Sequence, residues 1–291
     1  MMSALLYWLV LKPVSLLPYR ALYMLSDVFF VIFYYCAGYR KKVVRGNLTR
    51  SFPEKSMAEI ISIEKDFYRH FCDLILESLK NFSAKAEDLA ERFEHRNTEV
   101  LDRLHAEGRS AILAGGHYGN WEMWALSAPV HFRHKLMAIY KRLSNGYFDE
   151  KMRSTRGKFG LELVSTKETV DWLIANQSTL FVSVFAIDQS PSNPRKAHWI
   201  TFLGQETACL FGAEKYAKEF NLAVVYGHLQ KVSRGKYAID YELITSDPGS
   251  YEHGKLTEHM SAILEKDLRK EPRYWLWTHK RWKHKRPTDL N

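Results

Sequence analysis

Apolar positions fall into two regimes along this chain. Near the N-terminus they crowd together. Residues 5–11 are apolar, Lys12-Pro13 interrupts them, and residues 21–38 (ALYMLSDVFFVIFYYCAG) are apolar throughout except for Ser26 and Asp27. A run of about eighteen such residues is the lower limit for a helix that crosses a bilayer. No basic stretch precedes it and no convincing cleavage site follows it, so it does not read as a standard signal peptide. The expectation is an N-terminal hydrophobic membrane-anchoring segment over residues 1–38, spanning the bilayer or lying in its interface. Arg40, Lys41, Lys42, Arg45 and Arg50 follow at once, and by the positive-inside rule they place that end on the cytoplasmic side. A hydrophobic helix buried in the fold gives the same pattern.

Further on, the apolar positions become periodic. Ile60, Ile63, Phe67, Phe71, Leu74 and Ile75 repeat at helical spacing and predict a helix over 57–80. Short apolar runs at 110–114, 135–140, 179–187 and 222–227 predict strands, with helical patterns such as 166–176 and 208–220 between them. Strands alternating with helices predict one α/β domain over residues 39–291, a mainly parallel central sheet flanked by helices. Ligands in such folds sit at the carboxyl ends of strands. His117, just beyond the run 110–114 and Gly115-Gly116, would stand at such an end.

Composition adds bounds to this. Cys36, Cys72 and Cys209 are odd in number and far apart, which argues against a disulfide framework or a cysteine-rich zinc site. With 42 basic against 33 acidic residues the net charge is +9, which points to acidic partners. Other signals weaken on inspection. Residues 249–256 (GSYEHGKL) nearly spell a phosphate-binding loop, but Leu256 stands where a hydroxyl is needed. His131 and His134 form an H-x-x-H with no evident third ligand and read as surface residues. Asn47-Leu48-Thr49 is a glycosylation sequon only if translocated, which the flanking basic residues oppose. The C-terminal residues 281–286 (RWKHKR), with Trp275, Trp277 and Trp282, suit a membrane interface or phosphorylated lipid better than nucleic acid.

The chemistry concentrates in residues 111–124, AILAGGHYGNWEMW. On one continuous helix His117 and Glu122 would point about 140° apart. They meet if His117 is still in the turn and the helix begins near Asn120, a good N-cap. A carboxylate on one imidazole nitrogen orients the ring and stabilises the imidazolium formed when the other nitrogen takes a proton. No G-x-S-x-G elbow occurs and no cysteine lies near in sequence, so the pair would activate a hydroxyl of the substrate. A merely structural hydrogen bond fits the same spacing.

This H-x-x-x-x-E resembles the H-x4-D/E signature of the lysophospholipid acyltransferases, and in particular the bacterial lipid A secondary (lauroyl and myristoyl) acyltransferases. Further blocks match in order: YRKKVVRGNLTRSFPE at 39–54, the Tyr140–Asp149–Arg156 spacing, AIDQSP around Asp188, FLGQETA at 202–208 and EPRYWLWTHKRWK at 271–283. The resemblance implies a glycerol-3-phosphate acyltransferase-like fold. It implies His117 as general base oriented by Glu122, with Arg156 stabilising the oxyanion. It puts substrate contacts at Asn120, Tyr140, Lys141, Arg142, Asp188, Gln189 and Thr207, with Asp188 shaping the pocket or binding the acceptor. The acyl donor implied is a thioester on acyl carrier protein, coenzyme A being the lesser candidate. The acceptor is a lipid A precursor at the inner membrane, and no metal or other cofactor is required. Other readings are another lyso- or aminolipid acceptor, or a non-catalytic binder of membranes or nucleic acid. Three departures stand out: Glu122 where many relatives have Asp, Lys141-Arg142 after Tyr140, and the residues following Asp188.

Overall fold

A computed structural model describes residues 2–288; Met1 and residues 289–291, at the outer ends of the two expected segments, lie outside the described residues. Nine strands form among the described residues: β1 Phe93–Arg96, β2 Ala111–Gly115, β3 Lys135–Tyr140, β4 Glu162–Ser165, β5 Phe181–Ala186, β6 His198–Phe202, β7 Gln205–Cys209, β8 Ala223–Ser233 and β9 Lys236–Thr245. Seven make one sheet in the order β1-β9-β8-β2-β5-β3-β4, and β6 with β7 makes a separate hairpin. Within the large sheet all pairs are parallel except β8 with β9. The expected α/β architecture is present, with a mixed sheet that is mostly parallel.

The four apolar runs are strands β2, β3, β5 and the start of β8. Ala111 to Ala114 are at most 2% exposed, because helices cover both faces of the sheet there. Strands buried on both sides read as continuous apolar runs. Strand β8 reaches Ser233, past its apolar start, and the turn at Arg234-Gly235 returns the chain as β9. The pattern expected as helix over 208–220 is shorter, Gly212–Glu219, since Ala208 and Cys209 belong to β7 and pair with β6.

The N-terminal segment is two helical arms, Met2–Leu16 and Tyr19–Cys36, bent by 118°. Pro18 causes the bend: Leu17 before it leaves the helical region, and proline itself offers no N–H to continue the ladder. No single helix among the described residues is long and apolar enough to cross a membrane; the bent pair meets that test only jointly.

Helix Tyr19–Val31 packs Leu22, Ser26 and Phe30 inward, against helix Met57–Lys80. The two polar exceptions in the apolar run make the attachment. Ser26 Oγ donates to Asp73 Oδ1 at 2.8 Å, and Asp27 pairs with Arg234 at 2.6 Å. Met24, Val28, Val31 and Tyr35 remain exposed, as do Leu5, Trp8 and Leu9 on the first arm.

Several basic residues after this segment bond within the body. Arg45 forms a bidentate pair with the buried Glu64, Arg40 donates to Thr278 O, and Arg50 donates to Gln205 and Asn47. Asn47, the sequon asparagine, is itself buried and donates to the carbonyls of Trp277 and His279. The tryptophans expected at a membrane interface are mostly core: Trp275 is 2% exposed and Trp277 is 0%. His134 is likewise buried, with Nε2 bonded to Arg109 O, where a surface residue was expected.

Candidate active site

Adjacent strand ends build the site. In the β2–β5 register Gly115 lies opposite Ala186. Two residues further on, His117 and Asp188 therefore face each other across the end of the sheet. His117 Nδ1 is 2.7 Å from Asp188 Oδ1, and the backbone N–H of His117 donates to Oδ2 at 2.7 Å. The Trp275 indole donates to the same Oδ2 at 2.7 Å. Asp188 is thus a buried carboxylate with its acceptor sites occupied by donors. Gly116 makes the approach possible, because a Cβ there would fall 3.3 Å from Asp188 Oδ2 and 2.8 Å from Leu264. His279 holds the chain two residues beyond Asp188: its Nε2 accepts the N–H of Ser190 at 2.9 Å.

These contacts set the charges. Burial raises the Asp188 pKa, but the His117 imidazole and the donated hydrogen bonds outweigh that and hold it at about 2. Burial also opposes charging His117; the Asp188 carboxylate, with Glu122 further off, outweighs it and raises the pKa above 6.5. With Nδ1–H given to Asp188, Nε2 keeps its lone pair, and the Gln189 amide donates to it at 3.2 Å.

The expected meeting of His117 with Glu122 does not occur. The helix does begin at Trp121, with Asn120 as its cap: Asn120 Oδ1 accepts from Met123 N at 2.8 Å. Glu122, in the first turn, instead faces Arg156 from the neighbouring helix Gly146–Arg156. Their bidentate pair has N–O distances of 2.9 and 2.5 Å. Arg156 is accordingly a cation already balanced by a carboxylate.

A cavity of about 360 Å³ opens between the sheet and helix Trp121–Ser127. Leu113, Trp124, Ala125, Ile139, Leu163 and Val184 line it, and His117, Glu122, Tyr140 and Arg156 contribute its polar wall. Tyr140, at the end of β3, has a buried hydroxyl with no hydrogen-bond partner among the described residues.

The remaining expected contacts lie elsewhere. Asn120 is fully buried and bonded to Glu77 as well as to its helix. Thr207 is buried in the β6–β7 hairpin, where its hydroxyl accepts from Trp282. Lys141 and Arg142 are exposed outside the cavity, and Arg142 pairs with Glu168 at 3.0 Å. Sequence reasoning missed Trp275 as a partner of Asp188. Its place in the EPRYWLW block was visible, but not the aspartate it would meet.

The fold is α/β, and His117 lines a largely apolar cavity at the carboxyl end of its sheet. The chain belongs to the bacterial lipid A biosynthesis acyltransferase family, whose model matches residues 1–284, and it is an acyltransferase of lipid A-related metabolism. No curated protein matches it closely.

Proposed function

We propose that this enzyme moves a fatty acyl chain from the thioester of acyl carrier protein to a hydroxyl of a lipid A precursor. His117 is the general base and Asp188 the carboxylate that orients it. One observation carries this reading: Nδ1 is committed to a buried carboxylate, while Nε2 keeps its lone pair, met by the Gln189 amide at 3.2 Å, and His117 lines the apolar cavity.

Nε2 takes the acceptor's hydroxyl proton as the oxygen attacks the thioester carbonyl. The tetrahedral intermediate collapses with loss of the C–S bond, and the imidazolium returns the proton to the departing thiolate. Asp188 stabilises the imidazolium between those steps. The apolar cavity receives the acyl chain. Arg156 offers positive charge near the developing oxyanion, and Glu122 fixes the direction of that guanidinium.

The bent N-terminal arms lie in the membrane interface on the cytoplasmic side of the inner membrane. Ser26 and Asp27 tie one face of the second arm to the body, so that face cannot meet lipid, while Met24, Val28 and Val31 point away from it.

Substitution of the pair tests the mechanism. His117→Ala should abolish transfer in a folded protein. Asp188→Asn should cost about three to four orders of magnitude in turnover, by analogy with loss of the orienting carboxylate in a serine protease triad. Glu122→Gln should cost less, about ten- to a hundredfold, because Arg156 keeps its charge but loses its fixed direction. Product mass spectrometry with acyl thioester and lipid acceptor reads all three. An Asp188→Asn protein at near-normal turnover, with Glu122→Gln inactive, would return the orienting role to Glu122.

A further inference from the structure

Helix Met57–Lys80 carries polar residues where its period calls for apolar ones. His70, Asp73 and Glu77 are all buried, at most 3% exposed, and lie three, four and seven residues apart on one face. All three have partners, and two of them reach the reactive loop. His70 Nδ1 faces Lys231 Nζ at 3.3 Å, so Nε2 carries the proton and donates to Gly119 O at 3.1 Å. Glu77 Oε2 accepts from Asn120 Nδ2 at 2.7 Å and from the Tyr237 hydroxyl at 2.8 Å. Its other oxygen accepts from the Tyr23 hydroxyl at 2.8 Å, and Tyr23 belongs to the N-terminal helix.

Asn120 is the link in this chain. It lies between His117 and Glu122, caps the helix that carries Glu122, and is 0% exposed. Gly119 beside it has φ +58°, and a Cβ there would fall 2.1 Å from Leu229, so only glycine fits at this point of the loop. On the other side, the Tyr23 hydroxyl is held by Glu77, and the adjoining Arg234 binds Tyr23 O, Asp27 and Asp73. One buried carboxylate thus spans the N-terminal helix and the cap of the reactive helix.

We propose that Glu77 is a positioning residue for the transfer reaction, holding Asn120 and Tyr23 together so that the His117–Glu122 loop takes its working shape only while the N-terminal helix is docked. This rests on the acyl-transfer reading given above. Asn120 Oδ1 must accept from Met123 N, so its amide group must donate, and a carboxylate is the acceptor placed to receive it. If the Glu77 contact is lost, the cap can rotate. That would move Glu122 against Arg156 and His117 against Asp188, and displacements of about 1 Å at reacting groups cost up to about a hundredfold in rate.

A donor–acceptor swap in the full-length protein tests this. N120D keeps the helix cap, since Asp caps as well as Asn, but sets one carboxylate against another. E77Q in the same chain restores a donor facing an acceptor. Turnover and the donor KM are measured together with the low-field proton resonance of His117 Nδ1, which reports the bond to Asp188 and which a loss of folded protein alone would not shift. We expect N120D to lose about ten- to a hundredfold in kcat at nearly unchanged KM, with the resonance weakened. The E77Q/N120D protein should recover both to within about threefold. Wild-type kcat and resonance in N120D, or a double variant no better than N120D, would overturn the proposal. Should N120D fail to fold, Y23F removes only the hydroxyl on the N-terminal helix: a several-fold loss of kcat at unchanged melting temperature supports the link, and wild-type kcat overturns it. If the wild-type protein transfers no acyl chain from any thioester offered, the reaction assignment fails, while the resonance still decides whether Glu77 positions His117.

Discussion

Because Asp188 holds its proton so weakly, the charge of the pair is decided by His117, and activity and the stability that the pair contributes should respond to pH in opposite directions. His117 has its pKa raised in the folded state, above 6.5, against a denatured value near 6.5. A group with a raised folded pKa contributes stability that is fully present below the unfolded pKa and lost as pH rises through the folded one. Catalysis needs the neutral imidazole, so kcat/KM should rise with pH across that same interval. Thermal melting and initial rates on one set of buffers check this, and Asp188→Asn should flatten the stability change and move the acid limb of the rate profile downward. Burial lowers the pKa of His70, His95 and His131 and gives them the opposite trend, so the test is the difference in melting temperature between wild type and Asp188→Asn: a difference that fails to shrink as pH rises through the interval would contradict the assignment. At this scale the sequence marked His117, Asp188, Gln189, Glu122 and Arg156 as site residues, and the structure brings them to one end of the sheet. It could not say which carboxylate meets the imidazole. Spacing and the H-x4-D/E resemblance both point to Glu122 as the partner of His117, whereas the bond to Asp188 depends on the register of β2 against β5, which spacing does not encode.

Elements behave in the same way: those buried on both faces announced themselves, and those paired at an edge did not. β3 was expected over 135–140 and is Lys135–Tyr140, while β1 (FEHR) and β4 (ELVS) are short, mixed in polarity and held by a single neighbouring strand. The cavity is a product of elements too. Leu113 and Gly115 alternate onto the face of β2 that lines it. A Cβ at Gly115 would meet nothing closer than Gly227 O at 3.8 Å, so a methyl group can be added there without a clash against protein. Gly115→Ala should therefore fold, shrink the cavity and shift preference toward shorter acyl thioesters. Each excluded methylene is worth roughly 1–3 kcal/mol of discrimination. The measurement is kcat/KM over a series of chain lengths; equal losses for every length would mean that the acyl chain runs elsewhere. The N-terminal arms give a second test. Deleting residues 1–38 would uncover Glu77 and Asp73 along with the core beneath Leu22 and Phe30, so it confounds release with unfolding. Glutamates at Met24, Val28 and Val31 alter only exposed positions. They should free the protein from vesicles while its melting temperature stays within a few degrees, and sedimentation would read this directly. Undiminished binding would place the membrane contact on another face.

Over the whole molecule, the excess of 42 basic over 33 acidic residues bears on how the donor arrives. Much of the basic charge near the N-terminal segment is bonded internally, as with Arg45 on Glu64, so the contribution to a partner comes from the summed field. On the proposed reading, a net charge of +9 would draw an acidic carrier from a distance. Such attraction raises the rate of encounter, and salt screens it: the Debye length shrinks from about 10 Å at 0.1 M to about 3 Å at 1 M. With acyl carrier protein as donor, kcat/KM should fall as salt rises across that range, whereas kcat at saturating donor should change less, since the His117–Asp188 pair is screened from bulk ions by burial. Coenzyme A is anionic as well, so the salt effect cannot tell the two donors apart. Direct competition can. Purified enzyme given both thioesters, with the same acyl chain and at equal concentration, should consume the protein-bound chain first. A small donor engages only the cavity and its rim, but a carrier protein also engages the charged surface around it, so its advantage should shrink as salt is added. Preference for the coenzyme A thioester at low salt would refute the assignment of the donor and leave the acid–base pair untouched.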